Sequence, residues 1–488
     1  MMGWLAPPGA LPAASFRDPS GAVFRLQDRI YRIANETGWE QLKIFLDSPT
    51  ASRLQQNGSV VGTRLLDAPE RTRLLADPAI AALNTRAGGT VMLEHERIPF
   101  QSFPYEWPPE MLHAAGRLTL DSALELSAAG LGLKDASPYN VLFRGPAPVF
   151  IDVLSFEPRQ PGDPTWLPHA QFVRTFLLPL LVNKLLGTPI AEALMTRRDG
   201  LEPDEVYRSL SYLDRLRPAC LPLVSIPHWL DSRRNQDDLS MYRKQELPDP
   251  EKARFVFEHL LGRTRRSLDK LSPSPVRDSK WSGYLSANNN YTEQHFQAKE
   301  RFVNQALQDF PTRNVLDVGC NTGHFSAMAA RAGAAVVAID YDPAVAGQVW
   351  RMATANRLDI LPLVVDLTRP TPGTGWLNRE SPSFLDRARS HFDAVLMLAV
   401  IHHMLVTERV PLEEILELAA GLTRGIAVVE FVGPEDSMFK RLARGRDHLH
   451  AGHTAEAFER AAARWFEIVR SEQVEGTHRR LYVLRVKP

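Results

Sequence analysis

Between residues 314 and 325 the chain reads Asn314-Val315-Leu316-Asp317-Val318-Gly319-Cys320-Asn321-Thr322-Gly323-His324-Phe325. Apolar residues lead into an acid, two glycines stand four apart, and a helix-like stretch starts at Phe325. That order spells a strand ending in a tight turn that opens a helix, with glycine supplying the backbone freedom. Such a turn lets the main chain approach a ligand closely and aims helix N–H groups at it. Many strand-to-helix turns carry two glycines, so the segment gains its force from the strands downstream of it. Ala335-Val336-Val337-Ala338-Ile339-Asp340 is a second strand ending in an acid. Its acid falls about 20 residues past the turn, where nucleotide-binding folds place a carboxylate on ribose hydroxyls. Leu361 to Asp366 and Phe392 to His403 give a third and a fourth strand, each with polar residues at its C-terminal tip.

Four such strand ends in order resemble the class I S-adenosylmethionine (SAM) methyltransferases, and the match runs from Tyr284 to the C-terminus. The resemblance implies a Rossmann-like seven-stranded α/β domain that binds SAM at the C-terminal ends of parallel strands. It places Asp317, Gly319, Cys320, Asn321 and Gly323 against the methionine part of SAM. Asp340, followed by Tyr341, falls where the family holds the ribose. Asp366 and Leu367 fall where the family contacts adenine, and Leu398 lies on the strand that passes under the methionine moiety. A dehydrogenase also has a glycine turn and a ribose acid, but G-x-G-x-x-G is missing here. Gly425 to Val432 and Arg480 to Val486 supply two further strands, the last of which the family inserts antiparallel.

Upstream stands Asp135-Ala136-Ser137-Pro138-Tyr139-Asn140, then a short hairpin ending in Asp152. The D-x-x-x-x-N spacing and terminal Asp resemble the catalytic segment of protein-kinase-like small-molecule phosphotransferases. There the first Asp orients the acceptor hydroxyl, while the Asn and second Asp hold magnesium. Preceding elements keep the same order: a hairpin about Gln27-Asp28, a helix from Trp39 to Leu46, and strands from Ser59 to Leu66 and Thr90 to His95. A hinge at Pro104 to Pro108 and a long helix from Met111 to Ala129 complete it. No glycine-rich loop precedes the hairpin, no lysine sits on the third strand, and Arg32 is the nearest cation. The expectation is a degenerate kinase-like α+β domain for substrate recognition, with Mg-ATP binding at Asp135, Asn140 and Asp152 as the alternative. A plain Asx-turn at Asp135 is the blander reading.

A chain of 488 residues holds more than one domain. The expected division is a kinase-like domain over 1–270 with a helical C-terminal part, a Ser/Pro-rich linker over 271–283, and the methyltransferase domain over 284–488. Basic and acidic residues balance at 57 each, so nothing draws the whole chain to nucleic acid or to an anionic membrane. The two cysteines, Cys220 and Cys320, give no metal-ligand spacing, and their scarcity fits a reducing, cytoplasmic setting. No signal peptide or membrane span is read, since the longest apolar run, Phe176 to Val182, is too short.

Methyl transfer needs alignment, and a base when the acceptor is a hydroxyl or a protonated nitrogen. His402 and His403 end the fourth strand, where acceptors bind. One of them is the candidate base, His402 being nearer the strand, and wall packing is the other reading. Tyr284, Tyr291, His295 and Phe296 before the first strand, Trp376, Asn378 and Glu380 after the third, and Glu430, Asp436 and His450 past the fifth are weaker acceptor-side candidates. The expected acceptor is an oxygen or nitrogen of a metabolite, glycan or peptide. A bifunctional kinase-methyltransferase and a non-catalytic SAM-binding assembly protein are the rivals, and nothing in the sequence sets the oligomeric state.

Overall fold

The computed structural model describes residues 13–15, 17–231, 246–274, 293–310 and 312–487. Residues 275–283 of the expected linker, together with Tyr284 and Tyr291, lie outside the described residues. The chain divides into two compact units. The first takes residues 1–99, 112–142 and 148–273, and the second takes residues 100–111, 143–147 and 274–488.

The first unit carries a five-stranded antiparallel sheet in the order Ala13–Ser15, Gly21–Leu26, Arg29–Asn35, Gly89–His95, Thr63–Leu65. The hairpin about Gln27 forms as its sequence predicts, with Gln27 at φ 53°. Asn35 caps the helix Glu36–Leu46 by accepting from the Gly38 N–H, which satisfies one orphan donor of the first turn. The strand expected over Ser59 to Leu66 shrinks to Thr63–Leu65. Short helices at Pro49–Gln56, Ala68–Leu75 and Pro78–Arg86 fill the interval before the next strand. Each starts after a Ser or Asp cap with proline in the first turn, a helix signal that outweighs the apolar alternation nearby. The long helix is Pro109–Ala128, and the hairpin after Asn140 pairs Val141–Arg144 with Ala147–Phe150. The apolar run at Phe176 to Val182 is buried within Val173–Leu177 and the helix Leu178–Leu186. Among the described residues no helix is long and apolar enough to cross a membrane.

The second unit is a seven-stranded sheet. Its strands are β1 Asn314–Val318, β2 Ala335–Asp340, β3 Ile360–Val364, β4 Phe392–Met397, β5 Thr423–Val432, β6 Phe466–Gln473 and β7 Arg479–Val486. The spatial order is β3-β2-β1-β4-β5-β7-β6. The first five run parallel, and β7 inserts antiparallel between β5 and β6. Near-continuous Val, Ile, Leu and Ala make strands that are buried on both faces, as a parallel sheet covered by helices requires. β6 escaped sequence reading because it is an edge strand, mostly exposed and rich in charge. The order reverses on either side of β1, which opens a crevice at the strands' C-terminal ends.

Segment 100–111, which contains the hinge expected at Pro104 to Pro108, belongs to this second unit. Glu106 is fully buried and pairs with Arg387, whose side chain is 4 % exposed. The same carboxylate accepts from Thr371 Oγ1 and, at 3.1 Å, from the Phe103 N–H. Arg387 also donates to the Gln101 carbonyl, and its guanidinium sits 4.9 Å from the Phe103 ring centroid and 5.6 Å from that of Phe384. Glu110 is likewise buried against Arg351, and the Trp350 indole N–H reaches the Pro146 carbonyl at 3.0 Å. Removing one member of a buried pair strands the other's charge, at a cost of about 3–5 kcal/mol. Arg387→Met keeps the contact with the aromatic rings and deletes the charge. Its denaturant midpoint should fall by an amount in that range, and a loss below about 1 kcal/mol would mean that water solvates Glu106.

Candidate functional site

The crevice holds a cleft of about 630 Å³. Its walls include Asp317, Gly319, Cys320, Asn321, Asp340, Tyr341, Asp366, Leu367, Leu398 and His403, so nine of the ten sequence-derived cofactor residues meet there. Asp317 ends β1, 3 % exposed, and accepts from Ser326 Oγ at 2.5 Å. Gly319 has φ +65°, and its N–H donates to the Ile339 carbonyl at 2.9 Å, which folds the turn over the end of β2. A Cβ there would lie 2.7 Å from Val400 Cγ2. Asn321, at φ 46°, donates its N–H to Asp340 Oδ2 at 3.1 Å. Its own Oδ1 is buried without a hydrogen-bond partner among the described residues.

Gly323 is the exception to the expected cofactor contacts. At φ +80° it starts the helix His324–Arg331, and it is absent from the cleft wall. A Cβ there would meet Val349 Cγ2 at 3.0 Å and Met352 Cε at 3.1 Å. It therefore serves close packing with the helix Pro343–Asn356, while the ligand side of the turn belongs to Gly319.

Asp340 ends β2 and accepts from the Asn321 and Asp342 N–H groups, at 3.1 Å and 3.0 Å. Burial pushes its carboxyl up from 3.8 to about 6, and burial likewise pushes Asp317 up to about 6. The same burial, with two carboxylates beside it, holds the Cys320 thiol well above its ordinary value. Asp366 Oδ1 accepts from the Thr368 N–H at 2.9 Å, and Oδ2 takes Arg369 Nε at 3.2 Å. These residues fit SAM. The half-buried carboxylate of Asp340 can accept from ribose hydroxyls, the orphaned Asn321 oxygen wants a donor, and Leu367 and Leu398 add apolar wall.

The opposite wall separates the two histidines. His403 lines the cleft. His402 is 1 % exposed, stands apart from the cleft wall, and has both ring nitrogens without a hydrogen-bond partner among the described residues. This corrects the preference for the residue nearer the strand. Ile401–Val406 is a helical turn rather than an extension of β4, and it rotates His402 inward. Burial holds both imidazoles below their ordinary value, and Arg479 adds to the effect. The ring centroids lie 4.3 Å apart.

Of the charged floor beside them, sequence reasoning offered Glu430 and Asp436 as weaker acceptor-side candidates and missed Lys299 and Arg479. Lys299 lines the cleft, 6 % exposed, and pairs with the fully buried Glu430 at 2.6 Å. Glu430 also pairs with Arg479 Nη1 at 3.0 Å, and Arg479 Nε reaches Asp436 at 2.8 Å. The signal for Lys299 was present, because it sits on the apolar stripe of the helix Glu293–Asp309, three and four residues before Phe302 and Val303. Phe296 lines the cleft as well, whereas His295 does not.

In the first unit Asp135, Asn140 and Asp152 do not make an open metal site. Asp135 Oδ1 accepts the Ser137 N–H at 3.0 Å, the Asx-turn geometry. Asn140 Nδ2 turns to the Asp135 carbonyl at 3.5 Å. Asp152 is engaged on both oxygens, by Arg32 Nη1 at 3.0 Å and by Ser155 Oγ at 2.5 Å. A guanidinium on the ligand oxygen repels a dication that needs about six free oxygen donors. Arg32 is itself fixed by His95 Nε2 at 3.0 Å, and His95 Nδ1 lies 2.8 Å from Thr63 Oγ1. The residues present therefore do not fit Mg-ATP.

A methyltransferase domain family model matches residues 291–485. Over 482 residues the chain is 31 % identical to nodulation protein NoeA of Rhizobium meliloti (strain 1021), covering 98 % of this chain and 96 % of that one. Among solved structures, the N-methyltransferase NodS of Bradyrhizobium japonicum WM9 is 15 % identical, with a TM-score of 0.31, over 40 % of this chain and 98 % of its own. The magnesium protoporphyrin IX methyltransferase of Synechocystis PCC 6803 with bound S-adenosylhomocysteine is 18 % identical, with a TM-score of 0.31, over 42 % and 92 %.

This geometry sets three expected outcomes. Asp340→Ala should weaken SAM binding at least tenfold by calorimetry, since a charge-assisted buried pair is worth about 2–4 kcal/mol. A raised carboxyl means that the empty fold favours the protonated acid, so its stabilising contribution is full below 3.8 and is lost as pH rises through about 6. SAM needs the ionised acid, so its affinity should climb over that window, and Asp340→Asn should flatten the climb. For the first unit, Mg-ATP should leave the melting temperature of the full chain unchanged. A rise abolished by Asp152→Ala would show that Arg32 gives way to metal.

Proposed function

We propose that this chain, which belongs to the family of nodulation protein NoeA, methylates an oxygen or nitrogen of a metabolite, glycan or peptide, with His403 as the base. Its C-terminal unit is a class I SAM-dependent methyltransferase domain. The observation that carries the acceptor-side reading is the placement of His403 on the wall of the same cleft that holds Asp340.

SAM supplies an electrophilic methyl group on a positive sulfur. Everything else falls to the protein. Asp340 and the glycine turn fix one end of the cleft, and the β4 tip closes another side through Leu398, Ala399 and Val400. Ala399 holds φ 58°, a left-handed conformation that costs a non-glycine residue about 1 kcal/mol and turns the chain sharply into the helix bearing His403. A hydroxyl is too weak an acid to ionise unaided, so the proton leaves as the new bond forms. His403 is suited to take it. Burial and Arg479 hold its imidazole below the usual value, so it is neutral and able to accept at pH 7. His402 supports the wall from behind.

We assign residues 1–270 to acceptor recognition, as a degenerate kinase-like domain. The Arg32–Asp152 pair supports that reading over phosphotransfer, because it occupies the carboxylate a metal would need.

His403→Ala should lower turnover by two to four decades, roughly the range for losing a general base, and leave SAM affinity near normal. Turnover in the parent should fall as pH drops through an apparent pKa below 6.5. His402→Ala should instead lower stability with a modest effect on turnover. Turnover lost in His402→Ala and retained in His403→Ala would overturn the assignment.

A further inference from the structure

The cations that line the cleft divide into two kinds. Lys299 is paired with Glu430 at 2.6 Å, and Arg369 is paired with Asp366 at 3.2 Å and Glu408 at 3.1 Å. Arg409, Arg444 and Arg446 line the same cleft, are exposed, and have no carboxylate partner among the described residues. They come from two separate places, the loop after the helix Ile401–Val406 and the end of the helix Ser437–Ala443. Both places follow strands β4 and β5 in the chain, as His403 does, and Arg409 stands next to Glu408, whose partner Arg369 also holds Asp366. The carboxylates lining the cleft are already committed. Asp366 and Glu408 hold Arg369, Asp317 is buried near the end of β1 against Ser326, and Asp340 at the end of β2 accepts from the Asn321 and Asp342 N–H groups.

Two of the three arginines also hold costly backbone. Arg409 has φ 58° and Arg444 φ 50°, left-handed values that cost an ordinary side chain about 1 kcal/mol each relative to glycine. Arg444 ends its helix by donating its N–H to the Lys440 carbonyl at 3.1 Å, a position where glycine is the usual residue. A basic side chain at a helix C-terminus recovers about 0.3–1 kcal/mol from the helix dipole. That offsets the backbone cost of Arg444 at best, and it explains neither Arg409 nor Arg446. What the three share is a cleft wall and an uncompensated positive charge, and a guanidinium's donor fork matches a multidentate oxyanion.

We propose that these arginines form an anion subsite for the methyl acceptor, which carries a tetrahedral oxyanion group, a phosphate or sulfate ester, beside the atom that is methylated. This rests on the reading of the cleft as a methyl-transfer site and narrows its acceptor from any metabolite, glycan or peptide to an anionic one. Three guanidinium groups suit a tetrahedral oxyanion better than a carboxylate, and two of them, Arg444 and Arg446, come from the helix end after β5 and not from the β2 and β3 tips near Asp340 and Asp366. The charge also explains how a chain with no net charge selects an anion, through a local field at the cleft mouth rather than a global one.

The test uses the full chain saturated with S-adenosylhomocysteine and titrates it at low ionic strength with inorganic phosphate, sulfate and acetate. Phosphate and sulfate should saturate one site, acetate should bind at least tenfold more weakly, and added chloride should weaken all three, roughly as screening requires. The triple variant Arg409→Gly, Arg444→Gly, Arg446→Gln should lose phosphate binding by about tenfold or more. It should change S-adenosylhomocysteine affinity by less than about threefold and melt no lower than the parent, since two left-handed positions gain glycine. Phosphate affinity unchanged in the triple variant would overturn the proposal. Acetate binding as tightly as phosphate would overturn the tetrahedral assignment. A parallel loss of S-adenosylhomocysteine affinity would overturn it as well, by showing that the arginines hold the cofactor's own carboxylate. A parent chain that binds phosphate at these arginines and binds no S-adenosylhomocysteine would sink the methyl-transfer reading and leave the anion subsite standing.

Discussion

Glu430 is the residue on which the acceptor half of the cleft depends. It lies on β5, fully buried, with Lys299 from the helix before β1 on one oxygen and Arg479 from β7 on the other. Arg479 carries the link on to Asp436, in the turn after β5. Two cations and two carboxylates thus neutralise each other in a space that excludes water, and they join three stretches of chain remote in sequence, the helix before β1, β5 with the turn after it, and β7. Buried charge of this kind contributes little net stability compared with an apolar core of equal volume. What it supplies is a single arrangement, because any shift of the helix, the strand or the turn leaves a charge without a partner. His403 on the cleft wall and the buried His402 behind it lie close to this arrangement, and Arg479 helps keep both imidazoles neutral.

Much of the second unit is legible in the chain. Its strands are continuous apolar runs ending in acids, and the spacing from Gly319 to Asp340 picks out two residues that line one cleft without any knowledge of the loops. Local pattern is enough there because the sheet edge brings strand tips together whatever the loops do. Three things escape. β6 is exposed and charged and so has no apolar signature. The choice between His402 and His403 turns on the rotation of a helical turn, which periodicity does not fix over six residues. Lys299, Glu430 and Arg479 are scattered over some 180 positions, and only the folded sheet joins them.

The first unit shows the opposite balance. The hairpin, the helix capped by Asn35 and the long helix are readable from caps and alternation, whereas the short helices announce themselves only by a Ser or Asp with proline beside it. The spacing of Asp135, Asn140 and Asp152 suggests metal ligation, but spacing says nothing about which cation arrives first. Arg32, on the strand Arg29–Asn35, is 5 % exposed and reaches both His95 and Asp152. An arginine that is buried and held from two sides is a permanent substitute for a divalent ion, and it makes the motif a structural joint. Segment 100–111 behaves similarly, for its Glu106 ties it into the second unit although the order of elements suggests a hinge.

The two glycines of the turn after β1 look equivalent in sequence and face different neighbours in space. Gly319 presses toward Val400 at the β4 tip, and Gly323 presses toward Val349 and Met352 on the helix after β2. Genetically they belong to different compensation groups. A smaller residue at 349 can make room for a side chain at 323 and can do nothing for one at 319, which needs the change at 400. Neither second-site change restores the left-handed backbone, at φ +65° and φ +80°, so suppression is partial at both positions. The turn therefore drifts, if at all, along two independent routes, one through the ligand wall and one through the helix packing.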